Sequence, residues 1–355
     1  MDFSFTSDQD DLRELAAKIL GDATDHERVH GVLATDLAVD RDLWATMAEA
    51  GLVGISMPES VGGGACGFLE TCIVLEEVGR AAAPVPALAV MGLGAAALAH
   101  FGATSHLDGV ADGSRVVTAA LIEPLVDVLA PSTAASGDGR LTGEKVCVPA
   151  GLLADRVVVT AADGVFVVDP SSSGVTVERE DTTSGVPEAR MVFDGVPAEQ
   201  LAGRDGVQWV VEHAQAASCV VAAGACAAAL RLTADYTKGR EQFGRSIASF
   251  QAVSQRAADA YMDAEAVRLT AWQAAWRLDR RLPASEQVAT AKFWASEGAQ
   301  RVVHAAHHLH GGMGVSKDYP LWRYFVLAKQ LELSLGSGTP SLLRLGALLA
   351  DNPVT

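Results

Sequence analysis

Positive charge is what this 355-residue chain has least of: 27 Lys and Arg face 44 Asp and Glu, a formal net charge of −17. No basic stripe is present to neutralise phosphates, which argues against a nucleic-acid partner. An anionic ligand would find no long-range attraction and must be held by local groups. Cysteine is scarce as well. Cys66, Cys72, Cys147, Cys219 and Cys226 are odd in number and show no C-x-x-C spacing, so a reduced, cytoplasmic protein is expected rather than a disulfide framework. The opening stretch MDFSFTSDQDDLREL is acidic and lacks the basic and apolar regions of a signal peptide. Long apolar runs are missing too. Of the two small-residue runs, 81–99 contains Pro84 and Pro86, and 214–230 falls short of a bilayer span, so buried helices are expected rather than membrane segments.

What the chain does have is length and apolar character. With 49% hydrophobic and 20% charged residues it can fill two or three domains and reads as compact and mainly helical. The stretch Tyr236 to Gln251, YTKGREQFGRSIASFQ, separates two long helical patterns. Before it, His213 to Leu230 is almost all Ala, Val, Cys and Ser; after it, Ala252 to Leu278 shows apolar residues at helical spacing. Gly239 and Gly244 bracket the break. Arg240 at that break offers a rigid fork of donors to a phosphate or carboxylate, with Phe243 and Phe250 as a stacking surface and Gln251 as an amide partner. An ordinary helix corner with an exposed arginine fits the same residues. Further on, HHLHGGMGVSKDYPLWR at 307–323 places Gly311, Gly312 and Gly314 after a helical run, where backbone N–H groups can approach an anion.

These two stretches resemble the RxQFG…FQ and QxxGGxG…YPxxR motifs of the acyl-CoA dehydrogenase family. Upstream, GLVGISMPE, GGG and FLETCIVLEEVGR, between Gly51 and Arg80, resemble that family's architectural GLxGLxxPExxGGxG…ExxxVxExxGR signature. The resemblance implies that Arg240, Phe243, Phe250, Gln251, His308, Gly311 and Gly312 hold the adenosine and pyrophosphate of FAD. It also implies an acyl-CoA thioester as substrate. His308 stands where the family usually has Gln.

Periodicity divides the chain in three. Residues 1–113 read as a helical domain, with one helix from Phe5 to Leu20 capped by Thr6 or Ser7 and another from Arg41 to Ala50 capped by Asp40. In 114–203 the period shortens to strand candidates at Arg115–Ile122, Leu141–Val148, Arg156–Thr160, Gly164–Asp169, Val175–Arg179 and Arg190–Phe193, separated by Asp-Gly and Ser-Gly turns. They make a small antiparallel β-domain. Residues 204–355 return to helical spacing, four or five helices forming a bundle, a four-helix bundle in the family. This α+β order of helical, β and helical bundle domains is that of the acyl-CoA dehydrogenase fold.

Family members remove an α-hydrogen with a glutamate and pass the β-hydrogen to the flavin as hydride, so the carboxylate must sit beside the thioester α-carbon. In AKQLELSLGSGTPSLLR, aligning on Gly338-Thr339 puts Ser337 in the glutamate slot, while counting from Lys329 puts Leu335 there. A second location used in the family, 26 residues ahead of the corner arginine, holds Ala214. None of these can take a proton from carbon. Glu212 and Glu332 are the conceivable substitutes. Glu212 is turned about 200° from Ala214 on a helix, and Glu332 also reads as a solvated or ion-paired helix carboxylate. The ring-side elements are altered in the same direction: TEPxxGSD appears as Leu121-Ile122-Glu123-Pro124-Leu125-Val126-Asp127, and WIT as Cys147-Val148-Pro149, where proline removes a donor.

A chain that keeps the FAD-gripping corner but loses its own base and ring-side positions resembles the non-catalytic subunit of the heteromeric α2β2 acyl-CoA dehydrogenases of actinobacterial steroid degradation. That resemblance implies a heterotetramer in which a homologous subunit supplies the glutamate for α,β-dehydrogenation of an acyl-CoA, a steroid side-chain CoA ester among the candidates. A self-sufficient homo-oligomer with a displaced base and a flavin-free structural paralogue are the alternatives. His304, His307 and His308 have i, i+3 and i+4 spacing without the carboxylate of an H-E-x-x-H site, so a packed helix end is expected there rather than a metal site. Trp272, Trp276 and Trp294 are expected in the core or at a subunit interface.

Overall fold

The computed structural model describes residues 4–351. Helix α1 (Ser7–Ala23) starts at a reciprocal capping box between Thr6 and Gln9. After α2 (His26–Leu33), whose 8 residues carry no clear period in the sequence, α3 (Arg41–Glu49) starts where the Asp40 carboxylate accepts from Leu43 N–H. α4 (Phe68–Ala81) and α5 (Ala95–His100), the latter continuing a π-helical stretch at Leu88–Gly94, complete this layer.

Eight strands follow: β1 (Val117–Ala120), β2 (Ala134–Ala135), β3 (Arg140–Pro149), β4 (Arg156–Ala161), β5 (Gly164–Val168), β6 (Val175–Glu180), β7 (Glu188–Pro197) and β8 (Glu199–Gly203). They form two four-stranded sheets, in the orders β1-β4-β5-β8 and β2-β3-β7-β6. All pairings are antiparallel except one. β1 runs parallel to β4, because the chain leaves the first sheet after β1, builds β2 and β3 in the second, and returns. Val157, Val159, Phe166, Met191 and Phe193 fill the space between the sheets. Val117, Ala119, Val158, Val165 and Val167, on the reverse face of the first sheet, join the helical core. Strands covered on both faces read as continuous apolar runs, as these do.

One buried ion pair anchors the loop after β1. Lys145 Nζ, fully buried, donates to Glu123 Oε1 at 2.8 Å and to Thr160 Oγ1 at 3.1 Å. Glu123 also accepts from the backbone N–H and hydroxyl of both Ser132 and Thr133, closing the loop 124–131 onto itself. Burial opposes ionisation of Glu123, but the hydrogen bonds from Lys145, Ser132 and Thr133 outweigh it and hold the carboxyl down to about 2.

α6 (Asp205–Gly239) runs for 35 residues and is buried on all sides over much of its length. A Cβ on Gly224 would lie 1.9 Å from the Glu76 carbonyl oxygen, and one on Gly79 would lie 2.1 Å from that of Val221, so α4 and α6 meet backbone to backbone. A short hairpin, β9 (Glu241–Gln242) and β10 (Arg245–Ser246), leads to α7 (Gln251–Asp279), α8 (Ser285–Phe293), α9 (Ala299–His310) and α10 (Leu321–Leu333), which pack around α6. α11 (Gly338–Asp351) lies along α8. Among the described residues α6 is the one helix long and apolar enough to cross a membrane, and 72% of that apolar window is buried inside the protein. Trp272 is buried and donates to Glu76, while Trp294 and Trp276 are half-buried.

Replacing Glu123 with alanine strands a buried ammonium and removes the loop's closure. Glu123→Ala is expected to lower stability by about 3–5 kcal/mol in urea unfolding. A loss below about 1 kcal/mol would mean that Lys145, already pushed down by burial to about 8, sheds its proton or is reached by water once Glu123 is gone.

Candidate functional site

The three layers meet around a cavity of about 180 Å³. Its walls are apolar, drawn from Val78 of α4, Leu121 after β1, Pro149 of β3, Val221 of α6 and Leu335 after α10. Among the described residues the lining contains no Lys, Arg or His, and its single carboxyl group is that of Glu188. Ala189, Met191 and Phe193 on β7 turn into the sheet core, so Glu188 turns the opposite way, onto the cavity. Gln330 Nε2 on α10 donates to Glu188 Oε1 at 2.6 Å, tying the β-domain to the bundle. The Cys147 thiol lies beside this carboxyl. Burial pushes the Glu188 carboxyl up to about 7, opposed by the Gln330 hydrogen bond and assisted by the charge of Glu180.

Cys147 reaches the cavity because a bulge between Lys145 and Val148 lifts it out of the ladder at φ +52°, with its N–H donating to Glu180 Oε2 at 2.7 Å. Of the two candidate base positions after α10, Leu335 lines the cavity and Ser337 does not. Leu335 adopts φ +56°, and its carbonyl accepts from Gln215 Nε2 at 2.8 Å. Ala214 is buried on α6, one turn before Ser218, which lines the cavity. Glu212 faces elsewhere: its Oε1 accepts from Arg344 at 2.8 Å and Ser285 at 2.7 Å. Glu332 pairs with Lys329 at 2.6 Å. Neither carboxylate lines the cavity.

At the far end of α6 the chain opens outward. α6 stops at Gly239 and α7 starts at Gln251, and between them β9 and β10 pair Gln242 with Arg245. Phe243 and Gly244 are the two turn residues, at φ +54° and +76°, as a type I′ hairpin requires. Phenylalanine in that region is strained, and the turn holds it 93% exposed. Phe250 stands edge-on to Phe243, with the Arg245 guanidinium 4.1 Å over its ring. Arg240 is exposed, and its guanidinium has no partner among the described residues. Gln251 and His308 are exposed as well. The glycine loop lies at the same end of the bundle, because Tyr236, four residues before Arg240, stacks on His310, next to Gly311, at 4.3 Å between ring centroids. Gly311 has φ +59°, and an added Cβ on Gly311 or Gly312 would meet no atom within 4 Å. His304 and His307 pack on Phe325.

"Acyl-CoA dehydrogenase, N-terminal domain" matches residues 6–106, and "Acyl-CoA dehydrogenase, C-terminal domain" matches 202–344. The acyl-CoA dehydrogenase FadE27 of Mycobacterium tuberculosis is 36% identical over 99% of this chain and 100% of its own length. The chain belongs to the acyl-CoA dehydrogenase family. Members of this family are FAD-dependent oxidoreductases acting on CH–CH bonds. Among solved structures, the ChsE4-ChsE5 complex from M. tuberculosis superposes with a TM-score of 0.94 at 37% identity, covering 100% of both chains. A variant of the Tcur3481-Tcur3483 steroid ACAD superposes with a TM-score of 0.92 at 38% identity, covering 98% of this chain and 99% of that one.

Sequence reasoning missed Glu188 and Gln330. Glu188 has the polar character of an outward residue at a strand start, and only the inward set Ala189, Met191 and Phe193 hints that the opposite face lies over something. Its titration gives a direct test. An unfolded glutamate releases its proton near 4.5 and the folded one near 7, so the folded state alone holds that proton in between. The resulting stability is complete below the lower value and is lost as pH rises through the upper one, on the order of 3 kcal/mol in all. Glu188→Gln is expected to flatten the stability–pH curve across this window and to be the more stable protein at about pH 8 in urea unfolding. Parallel curves for the two proteins would contradict this.

Proposed function

We propose that this chain is the FAD-gripping, base-less subunit of an acyl-CoA dehydrogenase and works with a homologous subunit that brings the catalytic glutamate. The observation that carries this reading is the contrast between the cleft beside the middle of α6 and the corner at its C-terminal end. None of the positions where a base would be expected holds a carboxylate: Leu335 lines the cleft, Ser337 does not, and Ala214 is buried one turn from its wall, while the Glu188–Gln330 bond links the two walls. That cleft does not fit a flavin ring of this chain's own: it places a carboxyl with no cation beside it, and Pro149 lacks the N–H that a ring-side strand residue would donate. At the corner, by contrast, Arg240, Phe243, Gly311 and Gly312 face outward.

The corner suits the adenosine and pyrophosphate half of FAD, approached from outside the chain. Arg240 and the open Gly311–Gly312 backbone would meet the phosphates, Phe243 and Phe250 would offer ring faces, and Gln251 and His308 would flank them. Val221, the cavity-lining residue of α6 nearest the corner, lies 18 residues before Gly239, roughly 27 Å along the helix at 1.5 Å per residue. A cofactor gripped at this corner by its pyrophosphate would therefore have its ring away from this cavity, in another subunit. When bound, FAD accepts the β-hydrogen of the acyl thioester as hydride. This chain's own residues bind and orient it, with the Tyr236–His310 stack fixing the arginine corner against the glycine loop. The two-protein composition of the ChsE4-ChsE5 and Tcur3481-Tcur3483 assemblies supports a heteromeric complex, and the steroid designation of the second supports a steroid side-chain CoA ester as substrate. Three domains at 1–113, 114–203 and 204–355, and a cytoplasmic location for a chain whose five thiols are all free, complete the reading.

The visible absorption spectrum tests it. The chain purified alone is expected to be colourless, and the complex with its homologous subunit yellow and active. In that complex Arg240→Ala is expected to weaken flavin retention roughly tenfold or more while the circular dichroism stays that of the parent. Leu335→Glu in the isolated chain is expected to give no dehydrogenation, since it restores a carboxylate but no ring site. A yellow, catalytically active homo-oligomer would overturn the proposal.

A further inference from the structure

The two buried glutamates of the β-domain are satisfied to very different degrees. Glu123 accepts from Lys145, from both Ser132 donors and from both Thr133 donors. Glu188, similarly buried, accepts one N–H, from Gln330, with only the Cys147 thiol, a weak donor, beside it. A buried carboxyl with spare acceptor capacity is costly unless a donor completes it. Here the open side is the cavity, because Glu188 lines it. The other lining hydroxyls do not help, since Ser218 donates to the Ala214 carbonyl and Ser334 to that of Gln330.

The remaining lining decides what kind of donor fits. With no Lys, Arg or His in the wall, a carboxylate or phosphate head would face Glu188, and Glu180 behind Cys147, with nothing to neutralise it. An ammonium head would have to shed its water against Val78, Leu121, Pro149, Val221 and Leu335, a desolvation that one carboxyl group does not offset. We infer that this cavity binds a neutral apolar molecule carrying a hydroxyl group, which donates to Glu188 while its hydrocarbon body lies against those five residues. The site rests on the reading above only in that no flavin ring occupies the same space.

Calorimetric titration of the full chain with four probes of one chain length, 1-decanol, decyl methyl ether, decanoate and decylamine, tests this. Decanol is expected to bind once per chain and about tenfold more tightly than the ether, which has no donor, while decanoate and decylamine bind more weakly than decanol. Glu188→Leu should bind alcohol and ether alike. Leu335→Trp, which fills the cavity from its apolar side, should bind neither. Equal binding of alcohol and ether by the parent, tighter binding of decylamine, unchanged decanol binding in Leu335→Trp, or no binding at all would each overturn the inference. The probe series on the parent chain stands even if Glu188→Leu does not fold. The flavin absorbance of the same sample separates the two ideas. Flavin bands from the isolated chain count against the shared-site reading, whereas a colourless chain that ignores decanol overturns only the hydroxyl site.

Discussion

Everything in this protein is arranged about the contact of two helix backbones. Where Gly79 and Gly224 bring α4 and α6 together, no side chain fits between them, and the small residues that run along α6 let α7, α9 and α10 come close on its other sides. Close approach maximises dispersion contacts, and the absence of bulky side chains leaves few rotamers to order on folding. A helix held this way is a rigid rod. It carries cavity-lining residues near its middle and the arginine corner at its C-terminal end, so the separation of the two sites follows from the packing of one element.

The β-domain shows how a cleft can be rebuilt by polar groups without losing its walls. Glu123 and Lys145 pin the loop that follows β1, and the bulge at Cys147 turns the middle of β3 toward Glu180 and Glu188. Gln330 then reaches from the bundle to close the contact. Glu123, Lys145 and Glu188 are buried, so each had to be matched by a partner or bear the cost of desolvation, and Glu188 is the one left incompletely matched.

The hairpin at Phe243 is the counterpart on the surface. A positive φ at a large aromatic residue, held fully in solvent, is unfavourable twice over, in backbone strain and in exposed apolar area. Among the described residues its ring contact is the edge-on approach of Phe250. The free guanidinium of Arg240 and the open glycine loop sit at the same end. An acidic chain, with a net charge of −17, has to draw an anionic group by such local features rather than by its overall field.

Local signals in the sequence were enough for the caps at Thr6 and Asp40, the helix break at Gly239 to Gly244, most of the strands, the three-layer order, and the family to which the chain belongs. All of these rest on periodicity, turn chemistry or short motifs, which the chain writes within a few residues. The parallel pairing of β1 with β4, the strand β8, the short helix α2 and the cavity's polar end were not legible in the same way. Glu188 and Gln330 are 142 residues apart, and Glu212 and Arg344 are 132 apart. No local pattern encodes such meetings. The sequence by itself determined which segments are helices, strands and turns and which motif residues were available. Only the tertiary structure decided that Leu335 faces the cavity, that Glu212 and Glu332 are engaged elsewhere, and that a carboxyl group on β7 is left facing apolar walls, because those outcomes depend on which surfaces the packed elements bury against one another.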